Sequence, residues 1–294
     1  MPVQKSSVDP RVFQVVFQAI FLSYGLLLLN WKPDWSHYGI SIFGCLLFQY
    51  FGESIQKKRW MRLRDFNHWG FSVLISAMSL CLLLRTNHPL TSLLAAAATV
   101  GSKYLFRWKG KHIFNPSAFG IAITIWIARD AWLNPAQWGS TAVIFFAVIT
   151  LGTIVVTRVQ KLDVSLAFLI TFLGLLYWRQ VGYLGWPVDH FLHSASTGSL
   201  LLFSFFMISD PRTAPNHPGA RMTWAIAIAA VAFYLATFKW MYNTPILVLV
   251  AAGPLVPLLD WLFPAPVFQW KIPAFLRAAK KSGKHTLFTK TIHA

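Results

Sequence analysis

The chain has 294 residues, 56% of them hydrophobic and only 12% charged. A soluble globular domain carries about 25% charged residues. So apolar a chain cannot hide its surface in one water-facing fold, and disorder is excluded on the same ground. The net charge of +17 would suit nucleic acid, but the bases sit in short loops between apolar runs. No basic helix or aromatic-interleaved motif accompanies them, so nucleic acid is excluded as a partner and the lipid bilayer is expected instead.

Ten apolar runs follow one another at about 12–30, 37–55, 68–85, 88–103, 116–129, 140–157, 163–178, 194–209, 222–239 and 244–263. They predict an all-α polytopic membrane protein with about ten transmembrane helices. The fourth and fifth runs fall short of the roughly 20 residues of a straight crossing, which predicts tilted or broken spans. With the N-terminus inside and the direction alternating, the inner segments hold 21 of the 26 Lys and Arg. That asymmetry obeys the positive-inside rule and places both termini in the cytoplasm. The transmembrane domain is expected over 1–264. A basic cytoplasmic tail, solvated or resting on anionic headgroups, is expected over 265–294. The polar opening and the lack of a small-residue cleavage site predict a retained first span. Cys45 and Cys81 lie inside apolar runs without metal-ligand spacing and read as small apolar residues.

Polar groups are costly in lipid, so their clusters direct attention to sites. In 101–120, Asn115-Pro116 has the form of a helix start, with Asn as cap and Pro in the first turn. Lys103, Arg107, Lys109, Lys111 and His112 precede it closely. The segment is either a basic inner loop before a well-capped span or an anion site at a helix N-terminus. In 189–221, Asp189, His190 and His193 stand at the outer end of span eight, and Ser194, Ser196, Thr197 and Gly198 follow. The small hydroxyl residues suit close helix contact or the lining of a cofactor cleft. His190 and His193, three apart, read as interfacial histidines rather than metal or haem ligands. Asp210-Pro211 ends the helix, and Asp210 is expected to pair with Arg212 or Arg221 or to serve as a proton or ion site. Asp163 and Asp260 are expected to be solvated. No phosphate-binding Gly-rich loop, nucleophile elbow or HExxH motif occurs, so hydrolysis is not expected and no catalytic or metal-binding residue is assigned.

Two segments carry a resemblance. Phe114-Asn115-Pro116-Ser117-Ala118-Phe119-Gly120 resembles the FNP-A-type motif of the NqrB/RnfD family. The run Leu201–Pro211, closing on Ser209-Asp210-Pro211, is similar to its FxA(T/S)DP-type signature, and AAGPLVPLLD ending at Asp260 is similar to its last span. The resemblance covers about 85–263. It implies ten helices in two five-helix repeats and a membrane subunit of a translocase-type electron-transfer complex. Such a subunit holds flavin, helps to couple the reduction of quinone or ferredoxin to Na+ or H+ movement, and works with a flavoprotein or iron–sulfur partner. The family attaches FMN to Thr in an S-G-A-T-type motif between the two signatures. Here that interval offers only Gly139-Ser140-Thr141-Ala142, so no covalent FMN is expected. The short form, with its DPRVFQ opening, is similar to the stand-alone UnbU-like branch.

The expected ligand is therefore a non-covalent flavin (FMN or riboflavin) or a quinone between the repeats of a cell inner membrane protein. Lys103, Arg107 and His112 would offset anionic charge, and Asn115 and Ser117 would hydrogen-bond the ring or tail. Ser196, Thr197 and Asp210 would line the opposite wall. A channel or carrier for a small polar solute or ion is the alternative. A structural anchor for an electron-transfer partner is a third.

Overall fold

The computed structural model describes residues 9–29, 31–60, 66–134, 152–154, 156–157 and 160–268. The described chain is mostly helical. Most of run 140–157, the segment 139–142 and the tail beyond 268 lie outside the described residues.

The first five helices are α1 (Pro10–Leu27), α2 (Trp35–Lys57), α3 (Phe66–Leu83), α4 (Pro89–Leu105) and α5 (Pro116–Ile127). Local chemistry sets their starts. Asp9 accepts the N–H of Arg11, Asp34 that of His37 and Asn115 that of Ala118. Pro occupies the first turn of α1, α4 and α5, where its missing N–H costs nothing. Strand β1 (Leu84–Thr86) leaves α3. The hairpin of β2 (Arg107–Trp108) and β3 (Lys111–His112) joins α4 to α5, and β4 (Ala131–Leu133) pairs antiparallel with β1.

The second half holds α6 (Leu162–Tyr177), which runs on through a π-helical turn, Trp178–Tyr183. Helices α7 (Val188–Ala195) and α8 (Gly198–Leu202) follow, and α8 passes into a second π-helical turn, Phe203–Met207. Run 194–209 is thus not one span. Its helix begins at Val188 and breaks at Ser196-Thr197. Every residue from Leu200 to Ser209 is buried, so this short apolar piece forms the centre of the core. Ser165 Oγ donates to the carbonyl of Ser204 at 2.7 Å, satisfying an acceptor within the π-helical turn. Helices α9 (Pro218–Phe238), α10 (Thr244–Ala252) and α11 (Leu255–Leu262) follow among the described residues.

By length and composition, Leu162–Tyr183 and Pro218–Phe238 suffice to cross a bilayer. The pair α10 and α11, bent by 53° at Gly253-Pro254, gives a third span if taken together. Arg11–Leu27, Gly70–Leu83, Pro116–Ile127 and Gly198–Met207 are apolar but shorter.

The two halves share a plan. In the first, α2 packs on α4 and α4 on α5; in the second, α6 packs on α9 and α9 on α10, while α5 meets α10. Asn87-His88-Pro89 opens α4, and Asn216-His217-Pro218 opens α9, 129 residues later. Each opening receives a carboxylate. Asp130 accepts from the N–H of His88 at 3.1 Å and Oγ1 of Thr91 at 3.0 Å, and Asp260 accepts from the N–H of Asn216 at 2.7 Å. Lys111, which follows the end of α4, reaches Asn216 before α9, so the start of α9 lies beside the end of α4. The opening of α9 therefore lies at the end of α4 that is away from Asn87-His88-Pro89.

Candidate functional site

Three helices bear polar side chains on one face each: Arg11 and Gln14 on α1, Gln49, Glu53 and Lys57 on α2, and Ser72, Ser76 and Ser79 on α3. Intervals of three and four residues align each set. All of them line one cavity of about 260 Å³. His112 of β3 closes it together with Asn115 and Ser117 at the start of α5, Asp210 and Arg212 close it from the loop after α8, and Phe205 and Phe206 add aromatic wall. Sequence reading missed the stripes because it scored each run by its total hydropathy. Their helical spacing was the available signal.

Asn115 fixes two elements at once. Its Oδ1 accepts from Ala118 N–H at 3.1 Å, and its Nδ2 donates to the carbonyl of Met207 at 3.2 Å and to Asp210 Oδ2 at 3.4 Å. Gly120 lets α5 approach α4 closely, because a Cβ there would overlap the side chain of Thr99. His112 is buried, and its Nδ1 has no partner. Burial, with the Arg107, Arg212 and Lys103 charges acting in the same direction, pushes its pKa down to about 3. The imidazole is neutral at ordinary pH and presents an unused nitrogen. Burial raises the Asp210 carboxyl above its ordinary range, opposed by the N–H and charge of Arg212. Asp210 Oδ1 accepts that N–H at 3.0 Å.

Four of the expected residues, His112, Asn115, Ser117 and Asp210, thus meet in this cavity. Lys103 is buried behind its wall and donates to the Ser72 carbonyl at 3.3 Å and to Gln49 Oε1 at 3.5 Å. Arg107 does not line it. Its Nε donates to the Lys103 carbonyl, and its guanidinium lies 5.1 Å from the Tyr104 ring centre. Ser196 and Thr197 do not form the opposite wall. They sit in the break between α7 and α8, and Thr197 lines a different cavity, at the other end of the bundle. His190 and His193 are exposed, with His190 against the Trp186 ring at 4.5 Å. Cys45 and Cys81 are free thiols buried in the helices.

The loop 210–217 is gripped by charged side chains, among them Asp260, which the sequence reading left in solvent. Lys111 Nζ reaches the Ala214 carbonyl at 2.5 Å and Asp260 Oδ2 at 2.7 Å, and Lys161 Nζ reaches the Pro215 carbonyl at 3.1 Å. Arg221 pairs with Asp163 at 2.6 Å and not with Asp210. Asp163 and Asp260 are therefore structural ion-pair partners rather than solvated acids.

No protein-family model matches the chain, and no curated protein matches it. The functional reading rests on the cavity itself.

Proposed function

We propose that the chain is a membrane electron-transfer subunit of the NqrB/RnfD type, spanning the cell inner membrane about ten times in two inverted five-helix repeats. The shared helix order, the paired Asn-His-Pro openings and their carboxylates support the repeats. Short and broken helices inside an inverted pair suit such a membrane fold. The cavity end carries Lys57, Lys103, Arg107 and Lys111 and is the cytoplasmic one by the positive-inside rule.

The observation that carries the reading is the convergence of three polar stripes from otherwise apolar helices on the cavity beside Asn115 and Asp210. Its residues fit a flat ring with carbonyl and N–H groups. Arg212 and Ser117 offer donors, the orphaned His112 Nδ1 offers an acceptor, and Phe205 and Phe206 offer an apolar face. A flavin or quinone ring bound there would supply the electron-carrying chemistry. The protein would orient that ring, exclude water and hold a proton at the Asp210 carboxyl. A volume of about 260 Å³ suits a ring and excludes a whole dinucleotide. A flavoprotein or iron–sulfur partner would exchange electrons with the ring at the cytoplasmic face.

The test is the absorption spectrum and organic extract of the purified, folded protein. A flavin band or an extracted quinone at about one per chain is expected. Folded protein with neither sinks the proposal. The inverted repeats and broken helices equally favour a small-solute or ion carrier. Solute flux in liposomes by cofactor-free protein would select that reading.

A further inference from the structure

A smaller cavity, of about 150 Å³, opens between the β2–β3 hairpin, the loop before α9 and α11. His112 is the residue that it shares with the cavity beside Asn115. Its lining is divided. Lys109, Lys111, Asn216 and Asp260 form a polar part, whereas Val256, Pro257, Pro264 and Val267 form an apolar one. Trp108 and Trp261 line it while remaining 53% and 70% exposed. On α11, Leu255, Leu258 and Leu262 form the adjoining face and are each about half exposed.

Charge in the polar part does not balance. Asp260, its one carboxylate among the described residues, accepts from Lys111 Nζ and from the N–H of Asn216, each at 2.7 Å. With Asn216 Oδ1 and the Ala214 carbonyl as further acceptors, Lys111 has no donor to spare. Lys109 is exposed and pairs with no carboxylate among the described residues. One cation is left over. The backbone marks the same residue. Lys109 and Gly110 form the two-residue loop of the hairpin, with φ of 49° and 80°. Such a loop favours Asn or Gly at its first position, because an ordinary side chain is crowded at positive φ. A lysine there weakens the turn, as residues held for binding do.

We propose that this cavity binds the phosphate of an anionic phospholipid, with Lys109 as its counter-charge. The leftover cation selects an anionic headgroup over a zwitterionic one, whose own ammonium would find Asp260 already paired. The apolar part and the leucine face of α11 select an amphiphile over a free phosphate, because acyl chains cover what a phosphate would leave wet. Trp108 and Trp261 suit the depth of the glycerol and ester groups, where indole rings collect. The shared His112 puts this cavity at the same end as Lys57, the cytoplasmic end in the placement proposed above, where anionic lipids are concentrated. The site rests on that membrane placement and not on any cofactor.

The test is native mass spectrometry of the purified full-length protein, released from detergent after incubation with equal amounts of phosphatidylglycerol and phosphatidylcholine. Retention of phosphatidylglycerol in preference to phosphatidylcholine is expected. Lys109→Asn suits the left-handed turn, so it removes the charge without harming the fold, and it should weaken retention about fivefold. Trp261→Leu should weaken it several-fold. Lys58→Asn alters another exposed lysine of positive φ, at the same end but outside the cavity lining, and should leave retention unchanged. Equal retention of the two lipids overturns the proposal, and so does retention unaltered by Lys109→Asn. An equal loss in Lys58→Asn would reveal general attraction to a basic surface and overturn it too. Displacement of the lipid by glycerol phosphate at matched concentration would assign a free phosphate instead. Protein that holds no flavin or quinone would leave these results unaltered, and cofactor-loaded protein without selective lipid would sink this site alone, so the two proposals fail separately.

Discussion

Asn115 ties together two helix ends from different halves of the chain, capping α5 through Ala118 N–H and holding the carbonyl of Met207 at 3.2 Å. One amide thus sets the position of the cavity wall. Asn115→Ala removes both bonds and should cost about 2 kcal/mol in unfolding free energy together with the bound cofactor. Asn115→Asp keeps the cap acceptor but loses the donor to Met207. It should retain more stability than the Ala variant while still losing cofactor. Thermal unfolding in detergent and cofactor content read the two effects apart.

Lys111 and Asp260 form a partly buried pair at 2.7 Å that locks the loop carrying Asp210. Lys111→Met leaves the carboxylate without its cation and should destabilise by about 3 kcal/mol. Adding Asp260→Asn removes the stranded charge and should restore part of the loss. A double-variant cycle in chemical unfolding measures it. Additive losses would contradict the pairing.

His112 gives a pH dependence with a definite sign. Its folded pKa of about 3 lies below the ordinary 6.5, so between those values the unfolded chain binds the proton and the folded one does not. Stability from this residue is complete above about pH 6.5 and declines by about 1.4 kcal/mol per unit as pH falls toward 3. His112→Gln should flatten that part of the stability profile. An unchanged slope would contradict a neutral buried imidazole.

Gly120 is where α5 and α4 approach each other. Gly120→Val should force them apart and lower the melting temperature, whereas Gly110→Val in the exposed hairpin meets no neighbour and suffers only from its φ of +80°. Comparing the two melting curves separates a packing cost from a conformational one.

Helical content and the helix start at Asn115 were legible, because runs of apolar residues with a capping side chain leave few other solutions; the caps at Asp9 and Asp34 were not read from the sequence. His112, Asn115, Ser117 and Asp210 were legible as a polar group because polar residues are scarce in this chain, and they line one cavity. Gln49, Ser72 and Ser76 were not, as each sits singly among apolar neighbours and only their spacing unites them. The break at Ser196-Thr197 was hidden for a physical reason. Small hydroxyl residues suit a packed helix and a helix interruption equally, and tertiary burial of Leu200–Ser209 decides between them. The paired Asn-His-Pro triplets were in plain view, but they gain meaning only when Asp130 and Asp260 are seen to cap the segments that open on them.

The most direct test of the cavity beside Asn115 is to fill it. Ser76 lies on the cavity wall midway along the α3 stripe, so Ser76→Phe places a ring in the cavity. Cofactor content per folded chain is compared for this variant and the unaltered protein. The account predicts about one flavin or quinone per unaltered chain and almost none in Ser76→Phe. Equal cofactor content in both, in protein of equal helicity, would place the ligand elsewhere and contradict the central claim.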